Sequence, residues 1–88
     1  MHSEMLSIGD RVRYSNASGT EFFDAKVTAI EVWVPAVAKH LKLPESENAV
    51  RWERVADADH GSEVIVFVDS VEGPDRQRWG YGSQIRQI

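Results

Sequence analysis

Phe22-Phe23-Asp24-Ala25-Lys26-Val27-Thr28-Ala29-Ile30-Glu31-Val32-Trp33-Val34 reads as one long strand. Its apolar parity changes partway. Phe23, Ala25 and Val27 mark one face, whereas Ile30, Val32 and Val34 fall on the other parity. One extra residue near Thr28-Ala29 brings both sets to the same side, so the pattern predicts a β-bulge or sharp bend at that point. A bent strand of this length can serve two sheets of a curled barrel, which a flat strand cannot.

Ile8-Gly9-Asp10-Arg11-Val12-Arg13-Tyr14 lies upstream, with Ile8, Val12 and Tyr14 on one parity and Arg11 and Arg13 on the other. It reads as a half-solvated strand entered through a Gly9-Asp10 turn. The small polar run Ser15 to Thr20 then makes the loop into the long strand. Residues 1–7 carry little pattern and read as a flexible lead-in, leaving 8–88 as one domain.

Downstream, Pro35 to Pro44 is the one helical candidate, with Val37 and Leu41 four apart and a proline at each end. Ala49–Val55 and Glu63–Ser70 read as a hairpin across the polar connection 56–62. Val64-Ile65-Val66-Phe67-Val68 is apolar on both parities, which calls for cover on both faces. Residues 71–82 read as a turn-rich crossing, and Ser83–Ile88 as a short last strand. The fold class is therefore mostly β: a five-stranded barrel with one short helical insertion between the second and third strands.

Composition narrows the function classes. The 88 residues are 42% hydrophobic and 27% charged, a globular balance. A formal net charge of -4 argues against a surface built wholly to neutralise phosphate. No cysteine is present, which excludes disulfides, thiolate zinc sites and iron-sulfur clusters. No stretch approaches the ~18 apolar residues of a membrane span, and the first residues lack a secretion signal, so the expected location is cytoplasmic.

Arg76-Gln77-Arg78-Trp79-Gly80-Tyr81-Gly82 is the most function-like stretch. Two guanidinium groups beside two aromatic rings can grip an anionic or stacked ligand. Arg86, with Arg11 and Arg13, extends the patch if the first and last strands are neighbours. The candidate ligand-binding set is thus Arg76, Arg78, Trp79, Tyr81 and Arg86. The same residues also read as structure, with Trp79 plugging the barrel floor, Gly80 and Gly82 serving a turn, and the arginines pairing with Glu72 or Asp75. Asp57-Ala58-Asp59-His60 has carboxylates and an imidazole at metal-ligand spacing, but turn chemistry accounts for it, and no metal or cofactor is expected. His40 and His60 lie in no nucleophile motif, and there is no phosphate loop, so no catalytic residues are assigned.

Gly9–Tyr14, Asp24–Ile30, Val64–Asp69 and Gly82–Ile88, in that order, resemble the SH3-like small barrels, in particular their Tudor-like and KOW-like members. That resemblance implies a binding or interaction module; it carries over no ligand set, since neither the Tudor aromatic cage nor the basic KOW turn is present here. Ser83-Gln84-Ile85-Arg86 is also faintly similar to the Val-Gln-Ile-Tyr segment of the plasmid-type dihydrofolate reductases, oligomeric SH3-like barrels borne on integron gene cassettes. Arg86 stands where that family has Tyr. The implied alternative is a small oligomeric enzyme with its site at a subunit junction. Ile65, Phe67, Trp33 and Trp52 form an apolar surplus that either the helix from Val37 to Leu43 covers within one chain or a second copy covers, and a homo-oligomer is expected. A protein partner or anionic ligand fits the Arg/aromatic surface, and nucleic-acid binding is the third reading.

Overall fold

The structure, a computed structural model, describes residues 4–44, 47–56, 63–71 and 76–88. The chain is mostly β. Its strands are β1 (Met5–Ser7), β2 (Arg11–Ser15), β3 (Phe22–Val34), β4 (Lys39–Lys42), β5 (Ala49–Arg51), β6 (Val64–Ser70), β7 (Gln77–Tyr81) and β8 (Ile85–Gln87), with a five-residue helix α1 (Trp52–Ala56) and a 3-10 turn Gly82–Gln84.

β3 organises the rest. Its pairing with β6 runs Lys26↔Asp69 and Val27↔Val68, then resumes at Ala29↔Phe67, a register shift at the bulge expected from the parity change. Val27 and Ile30 are consequently both buried, although three residues apart on an extended chain. The main sheet runs β7-β6-β3-β2-β8, and all its pairings are antiparallel. Val12, Ala25, Val27, Ile30, Val64, Val66 and Val68 line its inner face, each at most 1% exposed. Full burial contributes about 1.5–3 kcal/mol for each of the larger aliphatic side chains.

Five expectations need correction. Residues 35–44 are not a helix: Pro35–Ala38 form a tight turn, with Ala38 at φ 53, and Lys39–Lys42 return as β4 against β3. A two-turn helix has little stability of its own. The outer end of β3, which β2 does not reach, offers these residues a ladder instead, with Glu31 opposite Lys42 and Trp33 opposite His40.

Residues 49–55 do not form a hairpin with 63–70. Only Ala49–Arg51 are extended, paired with β1, and α1 follows at once. The lead-in therefore contributes a strand, and Leu6 is completely buried. Part of the turn-rich crossing, Gln77–Tyr81, is an edge strand paired with β6. Finally, the sheet is not a closed barrel, because no backbone ladder joins its end strands β7 and β8.

Candidate functional site

The pleat of β7 divides the residues that the sequence grouped. Trp79 and Tyr81 share one face and project outward, 52% and 38% exposed, their rings in edge-to-face contact at 5.6 Å. Across the ladder, Trp79 lies opposite Phe67 and Tyr81 opposite Ile65, both half-buried. Phe67 and Ile65 in turn face Ala29 and Glu31 of β3. These residues form an aromatic ledge on the outer surface of the sheet. Trp33 continues that side of β3, with its ring edge-on to His40 at 5.3 Å.

Arg76 and Arg78 turn to a different task. Arg78 grips both oxygens of Glu21, Nε–Oε1 at 2.9 Å and Nη2–Oε2 at 3.4 Å, and its Nη1 donates to the Gln77 carbonyl at 2.9 Å. Arg76 approaches the same carboxylate at 3.8 Å, its guanidinium carbon 5.8 Å from the centre of the Phe23 ring. The hydrogen bond that Arg78 donates to Glu21 holds its guanidinium still more firmly protonated than usual. Glu21 is thus a single carboxylate shared between two partly exposed guanidinium groups. No local sequence pattern links this glutamate to Arg78, which stands 57 residues away. Glu72 and Asp75, the expected partners, lie outside the described residues.

Arg86 belongs to a third group. It sits on β8 directly opposite Arg13 of β2, so the first and last main-sheet strands are indeed neighbours. Arg13 is held by Asp24, Nη2–Oδ1 at 3.1 Å.

Side chains, not backbone, hold β7 to β2. Gln84 accepts from the Tyr81 N–H at 3.0 Å and donates to the Ser15 carbonyl at 3.0 Å, bridging the two strands with one amide. The Tyr14 hydroxyl adds a long contact of 3.5 Å to the Trp79 carbonyl. Tyr14 is raised above its ordinary pKa, first by burial and then by the charge of Glu21, with Arg78 opposing. Gly80 makes room for the clasp, since a Cβ there would lie 3.1 Å from Gln84 side-chain carbons. Gly82 is tighter still. A Cβ on it would overlap the Val55 carbonyl oxygen of α1. This seam occupies exposed backbone groups of an edge strand, which blunts its tendency to pair with other chains.

Two open clefts flank these features. One of about 580 Å³ is floored by Met5, Val32, Leu43 and Val50 with Arg51 and Arg54 on its lining. Another of about 480 Å³ lies between the Asn16–Gly19 loop and Tyr81, Ser83 and Gln84. Asn16 orders that loop, its Oδ1 accepting from the backbone N–H groups of Thr20 at 2.8 Å and Glu21 at 3.0 Å. No cluster of three or more His, Asp or Glu suited to a metal is found among the described residues, and Asp57–His60 lies outside them. Among the described residues no helix is long and apolar enough to cross a membrane. Comparison with protein-family models, with curated proteins and with solved structures finds no match to this chain.

Proposed function

We propose that the chain is a non-enzymatic interaction module of the SH3-like kind, and that its contact surface is the aromatic ledge Ile65, Phe67, Trp79 and Tyr81. The strand order β7-β6-β3-β2-β8, with a 3-10 turn leading into the last strand, supports the SH3-like reading. One observation carries the function: Trp79 is half exposed on a rigid strand, beside a second exposed ring and two half-buried apolar side chains. Aromatic residues held this way give contact area at small entropic cost.

The occupant of the ledge is a second copy of the chain. The four ledge side chains carry no charge, so two copies can meet face to face without opposing like charges. At the rim Glu31 stands opposite Lys42, an arrangement of opposite signs that an isologous pair can share. Arg76 and Arg78, expected to select negative charge, act here as ties to Glu21.

Sedimentation velocity across a wide concentration series tests this reading. The wild-type chain should shift from monomer to dimer with rising concentration, with a blue shift in tryptophan emission, while Trp79→Ala stays monomeric and equally folded. A wild-type chain that remains monomeric throughout would overturn it.

A further inference from the structure

Away from the ledge, the other half of the outer surface has an unusual charge arrangement. Arg11 and Arg13 project outward from β2, at alternate positions about 6.7 Å apart along the strand. Arg11 lies directly opposite Lys26 of β3, and Arg13 directly opposite Arg86 of β8. Each cation thus faces another cation across the ladder. Like charges in that relation destabilise a sheet, although Arg13 also faces Asp24, and Lys26 also faces Asp69, across their other ladders. Among the described residues, the carboxylates on this surface are Asp24, bonded to Arg13, and Asp69, opposite Lys26, one of whose oxygens is buried with no partner. Counted over those residues, the patch carries two positive charges in excess, in a chain whose total is -4.

A flat ring stands at the edge of the patch. Phe22 shares the outward parity of Asp24 and is the most exposed large apolar residue described, at 64%. With Arg13 and Asp24 it borders a shallow cleft of about 240 Å³. An exposed ring beside a line of cations is the combination that holds a single-stranded nucleic acid: the cations follow the phosphodiester backbone, and the ring takes a base face. An acidic peptide would use the cations and leave the ring idle.

We infer that Arg11, Arg13, Lys26, Arg86 and Phe22 form a binding surface for single-stranded nucleic acid, separate from the aromatic ledge. The small charge excess limits it to low-salt, sequence-tolerant binding, with a strong ionic-strength dependence. The surface needs no second copy of the chain.

Fluorescence anisotropy with a labelled oligothymidylate of about twelve nucleotides tests the assignment. Binding should weaken with salt along a log–log slope of about -2 to -3, as four neutralised phosphates require. The double variant Arg11→Gln, Lys26→Gln should reduce that slope by about 1.4. Phe22→Ala should weaken oligothymidylate binding about tenfold, yet leave binding of inorganic polyphosphate unchanged. Thermal melts should show all three substitutions folded, and Trp79→Ala should bind like wild type, which separates this surface from the ledge. No binding at the lowest salt would overturn the inference. So would a poly-glutamate peptide binding as tightly as the oligonucleotide, or Phe22→Ala binding oligothymidylate like wild type.

Discussion

The two halves of β3 have the same inside and opposite outsides. Before the bulge, Phe23, Ala25 and Val27 are buried while Asp24 and Lys26 face out among Arg11, Arg13 and Arg86. After it, Ile30 is buried while Ala29, Glu31 and Trp33 face out, the first two beside Phe67, Ile65, Trp79 and Tyr81. A single aliphatic core supports both halves. It demands apolar side chains at the inward positions and leaves the outward ones free, so core packing alone does not select cations at one end and rings at the other.

The comparison can be broken most severely at Gly82. Gly82→Ala drives a methyl group into the Val55 carbonyl, where backbone must move on both sides, and should cost about 3 kcal/mol or more in urea-induced unfolding. The damage begins where the 3-10 turn after β7 meets α1, on the ledge side, and the charged half should persist longest in residue-resolved hydrogen exchange.

Cutting the tie between halves should have a smaller effect. Gln84→Ala removes both hydrogen bonds of the clasp, and a loss of about 1–2 kcal/mol is expected. The Tyr81 amide should then exchange markedly faster while amides of the β3–β6 ladder keep their protection.

The smallest change has the most informative sign. Lys26→Gln relieves the repulsion with Arg11 and should raise stability by about 0.2–0.5 kcal/mol, most visibly at low salt, in denaturant melts. A loss of stability instead would mean that Lys26 serves the sheet, through Asp69 opposite it, rather than a ligand.

The central architecture was legible because side-chain alternation is a direct record of which face is buried. Two inward sets of opposite parity around Thr28 require an extra residue, and the bulge appears there. Short segments were less readable. Val37 and Leu41 satisfy a helical spacing, yet the uncovered edge of β3 captures residues 39–42, and Met5–Ser7 is too brief to show a period before β5 pairs with it. At the site, the composition of Arg76–Gly82 was informative but its direction was not. Treated as a turn, the stretch sends its side chains to one place; as a strand, it sends Arg78 to Glu21 and Trp79 to the opposite face. Arg86 does lie beside Arg13, because the last strand β8 pairs with β2.

The pairing of β2 with β8 has a consequence for the order of events in folding. Val12 meets Gln87 and Tyr14 meets Ile85, whereas β3 meets β4 across a four-residue turn. Closing so large a loop costs entropy before its contacts return anything, so this contact should form late. Until residues 85–87 have been synthesised and have docked, one edge of β2 stays bare. During that interval the nascent chain is at its most vulnerable to capture by a neighbour.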